Sequence, residues 1–184
     1  NDLTNMIGFN YRMTELSAAV GLVQLSKIEK HVGLRKEFAE NLSRKIANIP
    51  GLTIPFVRDN CSHVYYNWAL KFSKDKIGVS RKTFTKALQA EGFPCNEGYV
   101  EPLYMLPIFR DKQAFGKSNY PFNLTNRKYK YNMCPQGQNL YENELIVTET
   151  CPLSIENKTI ETFSNIFFKI FENIDDLKTY ESKL

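Results

Sequence analysis

Histidine, tryptophan and cysteine are all scarce in this 184-residue chain, and each shortage removes a class of chemistry. His31 and His63 are the only histidines, and Cys61, Cys95, Cys134 and Cys151 lie far apart with no C-x-x-C pair. A structural zinc site needs four such ligands at short spacing, so none is expected, and the cysteines read as free thiols of a reducing, cytoplasmic compartment. No P-loop and no G-x-S-x-G motif is present, which removes the common phosphate cradle and the nucleophile elbow. Nor does any apolar run approach the roughly 20 residues that cross a bilayer, so no membrane span is expected. Excess charge is missing too: 24 Lys and Arg against 20 Asp and Glu leave +4, which suits an acidic small molecule and is too little for a nucleic-acid partner. Four Asn-x-Ser/Thr triplets, at Asn41, Asn60, Asn123 and Asn157, are what an Asn-rich sequence makes by chance.

What is there is material for one globular domain with a real core, 42% hydrophobic and 24% charged. Leu16, Val20, Val23, Ile28, Val32, Phe38, Leu42, Ile46 and Ile49 recur near helical spacing, which predicts one long helix from Thr14 to about residue 48. Gly33 marks a bend in it, and Pro50-Gly51 ends it. Leu52 to Pro55 start a strand. Val64, Tyr66, Trp68, Leu70 and Phe72 then alternate with Tyr65, Asn67, Ala69 and Lys71, the period of a half-buried second strand. Ser80 caps a helix through Phe84, Ala87 and Leu88, which Gly92 stops and Pro94 keeps from resuming. From Cys95 to about Pro135 the pattern loosens, as functional or mobile segments do. A short helix over Leu140 to Leu145 and a strand over Ile146 to Thr148 follow. Ile160, Phe163, Ile166, Phe167, Ile170, Phe171, Ile174 and Leu177 form the apolar stripe of a last helix beginning near Ser154 or Asn157, with a polar tail that frays beyond Leu177. The fold class is α+β, a short antiparallel sheet covered by helices.

One stretch stands apart from this framework. Gly8-Phe9-Asn10-Tyr11-Arg12-Met13 runs straight into a helix that Thr14 caps and whose dipole favours the charge of Glu15. A carboxamide, a guanidinium and free backbone amides at a helix start suit a phosphate or a carboxylate. The same residues would serve equally to tie down the chain's approach to the helix, and local features do not separate the two readings.

Residues 8 to 25, Gly-Phe-Asn-Tyr-Arg-Met-Thr-Glu-Leu-Ser-Ala-Ala-Val-Gly-Leu-Val-Gln-Leu, resemble the signature of the DegT/DnrJ/EryC1/StrS sugar aminotransferases, pyridoxal-phosphate enzymes of the aspartate aminotransferase fold, type I. Tyr99-Val100-Glu101-Pro102-Leu103-Tyr104, then Cys134-Pro135, Leu140-Tyr141 and Glu144-Leu145, resemble the family's later landmarks in the same order. The resemblance implies that residues 1–13 close the large cofactor-binding domain, 14–49 form a long connecting helix, and 50–184 form the small C-terminal domain. It places the Schiff-base Lys and the Asp beneath the pyridine ring upstream of this chain, which does not begin with Met. The expectation is therefore a C-terminal piece that is inactive alone.

By the same resemblance, Asn10 reaches across a homodimer interface to the phosphate of the pyridoxal phosphate held by the other subunit, and Arg12 supports the loop or meets a substrate anion. Tyr99, Glu101 and Tyr104 fall in a substrate-facing segment, and His63 matches a recurrent His, although a lone His beside a strand more often has a structural part. The chain departs from the family twice. Tyr104 stands where His is common, and a phenol binds hydroxyls but is a poor acid or base at neutral pH. Gly137-Gln138 stands where Ala-Glu follows Cys-Pro-x, which removes an ionisable group. Arg127, Lys128 and Lys130, interleaved with Tyr129 and Tyr131, read as a solvated loop. The implied reaction moves an amino group from Glu or Gln to a ketone of a nucleotide-linked deoxysugar. Amination of a keto-cyclitol, a pyridoxal-phosphate sugar dehydratase, a non-catalytic ligand-binding relative and an interaction domain remain as alternatives.

Overall fold

The computed structural model describes residues 9–150 and 156–184; Gly8, Cys151 and Ser154 lie outside these. Helix α1 (Glu15–Leu25) starts as its sequence dictates, with Thr14 Oγ1 accepting the Ser17 amide at 3.2 Å. The predicted long helix is two helices, and its break is not at Gly33. Helix α2 (Ile28–Ile46) begins after an interruption at Ser26-Lys27, where the Ser26 hydroxyl donates to the Val23 carbonyl at 2.8 Å. Such a back-bond competes with continuation of the helix, whereas Gly33 sits inside α2 and only loosens it.

Strand β1 (Leu52–Thr53) and strand β2 (Asn67–Phe72) pair antiparallel. Strand β2 starts at Asn67 rather than Val64, because Tyr65 adopts a left-handed conformation (φ 48°) that reverses the alternation. Tyr65 is buried and Tyr66 exposed, the opposite of the predicted parity. A single turn, α3 (Lys74–Ile77), leads into α4 (Arg81–Ala90), capped by Ser80 and followed by Gly92 as expected. The loose region holds strand β3 (Asn96–Glu97), a 3-10 turn (Leu103–Met105), α5 (Pro107–Arg110) and a second 3-10 turn (Phe122–Leu124). Helix α6 (Pro135–Asn139) passes into a π-helical turn (Leu140–Glu144) and then strand β4 (Leu145–Glu149). The four strands form one antiparallel sheet in the order β1-β2-β4-β3.

The chain closes with α7 (Asn157–Glu172) and α8 (Ile174–Glu181), so the last predicted helix is interrupted at Asn173 and continues past Leu177. Its end does not fray. The Glu181 carboxylate accepts the Ser80 amide at 3.0 Å and the Thr83 hydroxyl at 2.6 Å, tying α8 to the start of α4. These bonds hold its carboxyl below the usual glutamate range. A depressed carboxyl contributes stability that is present above its unfolded pKa and lost as pH falls through the folded one. Glu181→Gln is therefore expected to lower the urea midpoint at neutral pH, with the gap from wild type closing below about pH 4. A gap of constant size down to pH 3 would assign the effect to packing instead.

Trp68, Leu70 and Phe72 of β2 share the covered face of the sheet with Ile146 and Thr148 of β4. Phe38, Leu42 and Ile46 of α2, Phe84 and Leu88 of α4, and Phe163, Phe167 and Ile170 of α7 complete that core. At its centre Phe93 meets Phe163, Phe167 and Trp68 edge to face, with centroids 4.9–6.1 Å apart. The opposite face carries Asn67, Ala69 and Lys71 beside Glu149, Val147 and Leu145, and the candidate site lies along it.

Candidate functional site

Three groups of residues that could meet a ligand lie outside the core. The first is the turn before α1. Asn10 Oδ1 accepts from the Arg12 amide at 3.2 Å and from Arg12 Nε at 3.3 Å. That uses up the carbonyl end of the carboxamide. The NH2 end of Asn10 and the outer nitrogens of Arg12 have no partner among the described residues, so these two side chains present donors, as an anion requires.

The helix behind this turn, α1, is largely apolar and has no buried residue; Leu16 is 78% exposed and Leu22 70%. Phe9, Tyr11, Met13, Val20, Val23 and Leu25 are exposed as well. Exposed apolar residues this closely grouped form a surface that another body can cover.

The second group is a cleft of about 180 Å³ on the open sheet face, lined by Asn67, Asn96, Glu97, Gly98, Tyr99, Val147 and Glu149. Asn67 Oδ1 is buried there with no hydrogen-bond partner among the described residues. Gly98 (φ 63°) seats the Tyr99 loop against the π-helical turn, its amide donating to the Leu145 carbonyl at 2.8 Å. The half-exposed Tyr99 thus lies at the rim of a polar cleft.

The third group is a hydrogen-bonded chain. The Tyr104 hydroxyl donates to Gln138 Oε1 at 2.5 Å, Gln138 Nε2 donates to Glu142 Oε1 at 2.5 Å, and the Tyr131 hydroxyl donates to Glu142 Oε2 at 2.8 Å. The bond to Glu142 raises the Tyr131 phenol above its ordinary range. Arg81 holds the π-helical turn beneath, donating to the carbonyls of Tyr141, Glu142 and Leu145 at 2.7–3.0 Å. The two departures from the family pattern, Tyr104 and Gln138, are therefore in direct contact.

Other residues singled out by sequence take local roles. His63 is exposed, and its Nδ1 accepts the Tyr65 amide at 2.8 Å while its ring lies 4.3 Å from that of Tyr65. It braces the left-handed turn before β2. Among the described residues no hydrogen bond or ring contact joins His63, Tyr99, Tyr104 and Asn10 to one another. Tyr129 packs on Phe109 and Phe122, so it is not a stacking platform for bases. Cys61 and Cys134 are exposed free thiols; Cys95 is buried, and burial pushes its thiol up to about 12, which makes it unreactive. Sequence reasoning missed Asn67, Asn96, Glu142 and Glu149, whose only signal was polarity on three strands and a helical turn.

An antiparallel sheet with its core helices on one face, an exposed and largely apolar helix, and a turn with unpaired side-chain donors define an α+β domain. A model of the DegT/DnrJ/EryC1/StrS aminotransferase family matches residues 1–144, and the chain belongs to that family. It is 28% identical over 114 residues to the spore coat polysaccharide biosynthesis protein SpsC of Bacillus subtilis, covering 62% of this chain and 29% of that protein. It is 28% identical over 105 residues to the GDP-perosamine synthase of Caulobacter vibrioides, covering 56% of this chain and 28% of that one. The solved structure of DesV from S. venezuelae superposes with a TM-score of 0.69 at 16% identity, over 91% of this chain and 39% of DesV, a likeness of fold. The matched part thus spans less than a third of the curated relatives' length. Among the described residues no helix is long and apolar enough to cross a membrane.

Proposed function

We propose that the chain is the C-terminal part of a pyridoxal-phosphate-dependent aminotransferase that moves an amino group from Glu or Gln to a keto carbon of a nucleotide-linked deoxysugar. On this reading residues 1–13 close the large domain, 14–49 connect the domains and 50–184 are the small domain. The Schiff-base Lys and its Asp lie upstream, and the chain alone is inactive. The observation that carries the reading is the donor-only pair Asn10 and Arg12 at the head of a helix with no cover of its own.

The residues present fit the cofactor's phosphate. The one acceptor in the pair is already occupied from within, so an anionic oxygen meets no opposing lone pair. When bound, pyridoxal phosphate supplies the electron sink that lets an amino group leave one carbon for another. Asn10 and Arg12 hold its phosphate from a neighbouring copy in a homodimer, where α1 finds the apolar surface it lacks here. Tyr99 and Tyr104 hold sugar hydroxyls, and His63 offers its other ring nitrogen to the same ligand.

The test is cofactor retention in the complete protein, followed by absorbance of the bound cofactor during dialysis. A hydrogen bond to a charged acceptor contributes on the order of 1.5–3 kcal/mol, so Asn10→Ala is expected to weaken retention by roughly 10- to 100-fold. Unchanged retention would remove Asn10 from the site.

A further inference from the structure

We infer that Gln138 is a positioning residue that makes the Tyr104 hydroxyl an acceptor toward substrate, so that this part of the site selects a hydroxyl of a nucleotide-linked hexose. The inference rests on the proposed function in one respect, that Tyr104 faces the sugar. Its other steps follow from the donor and acceptor inventory of the chain Tyr104, Gln138, Glu142, Tyr131.

A carboxylate only accepts. Glu142 therefore takes the NH2 end of the Gln138 carboxamide on one oxygen and the Tyr131 hydroxyl on the other. Turning the carboxamide over would set its carbonyl against the carboxylate, lone pair against lone pair. With its nitrogen committed to Glu142, Gln138 can show Tyr104 only its carbonyl oxygen, and Tyr104 must spend its one proton there.

Gln138 is 4% exposed, so water does not replace either bond at low cost. The main chain beneath Glu142 is held in turn, its carbonyl receiving Arg81 Nη2 at 2.7 Å, and the Tyr131 hydroxyl holds the carboxylate at 2.8 Å. The order of donors is thus set from the π-helical turn outward. What the half-buried Tyr104 offers a ligand is lone pairs. A hydroxyl of the sugar can donate to them; a carbonyl, phosphate or carboxylate oxygen cannot. Neither partner alone carries this property: a Tyr104 without Gln138 can turn its proton either way, and recognises donors and acceptors alike.

The experiment uses the complete protein and isothermal titration with UDP-glucose, GDP-mannose and dTDP-glucose. Each is paired with monodeoxyfluoro analogues, in which one hydroxyl has become a fluorine that cannot donate. In the wild type, fluorine at one ring position is expected to weaken binding about 10-fold or more. In Gln138→Leu and in Tyr104→Phe that penalty is expected to fall below about 3-fold, whatever happens to affinity overall, since a merely structural residue would weaken hydroxyl and fluoro probes together. Should Gln138→Leu fail to fold, Gln138→Met and Tyr104→Phe decide the matter. Sugars that bind with the same fluorine penalty in wild type and variants overturn the role of Gln138 and leave the proposed function standing. Absence of binding by all three nucleotide sugars overturns the selection of a hexose hydroxyl, while cofactor retention decides the proposed function separately.

Discussion

Trp68→Ala is expected to destabilise the chain by about 3–5 kcal/mol, the range for truncating a fully buried large aromatic. Trp68 has no exposed surface and stands on β2 at the middle of the sheet, edge to face with Phe93 at 6.1 Å and Phe167 at 6.3 Å. Its indole nitrogen also donates to Ser43 Oγ of α2 at 2.9 Å, the bond that links sheet and helix layers inside the core. Truncation leaves a cavity under two rings and a hydroxyl in an apolar setting. Trp68→Phe separates the two effects. It fills most of the space but cannot donate, and the unpaired Ser43 is expected to cost about 1–3 kcal/mol. Urea unfolding of wild type, both single variants and Trp68→Phe with Ser43→Ala measures this directly. If Ser43→Ala does not restore part of the loss in the Trp68→Phe background, the bond has little weight.

Gly98→Ala is the second large effect, expected at about 2–4 kcal/mol. The backbone there has φ 63°, and a Cβ would lie 2.9 Å from Tyr141 Cδ2 and 3.0 Å from the Tyr141 carbonyl oxygen. A side-chain end can move aside; a carbonyl at the start of a π-helical turn held by Arg81 cannot. Gly92→Ala is the control, because Gly92 has φ 95° and nothing within 4 Å of the added methyl. It carries only the backbone cost, on the order of 1–2 kcal/mol. The difference between the two variants therefore reports the close approach of the Tyr99 loop to the π-helical turn. Equal losses would show that the loop yields, and that the cleft beside Tyr99 is softer than its contacts suggest.

Much of the architecture was legible because it is local. Ser80, Phe84, Leu88 and Gly92 write a helix with its two ends, and the stripe from Ile160 to Ile170 writes another; both stand where the periodicity puts them. Errors fell where a distant or backbone effect outweighed periodicity. Tyr65 flips the parity of a strand through a single left-handed residue, and Ser26 breaks a helix that its side-chain pattern would continue. The polar end of α8 looked frayed because its partners, Ser80 and Thr83, lie about a hundred residues away in the chain. For the candidate site, Asn10 and Arg12 were singled out by their motif and Tyr104 by its landmark. Gln138 was noticed only as a lost charge, and its bond to Tyr104 spans a loop whose path no spacing rule encodes.

Local pattern, together with the resemblance of residues 8 to 25, was enough for the α+β class, the helix that Thr14 opens and the family to which the chain belongs. Each depends on residue type and on separations of a few positions, which the chain carries explicitly. Tertiary structure alone decided which sheet face is open, that the buried Asn67 oxygen has no partner among the described residues, and that the Tyr104 hydroxyl meets Gln138. Those properties belong to groups brought together by folding, and a hydrogen bond has a direction only once both of its ends are in place.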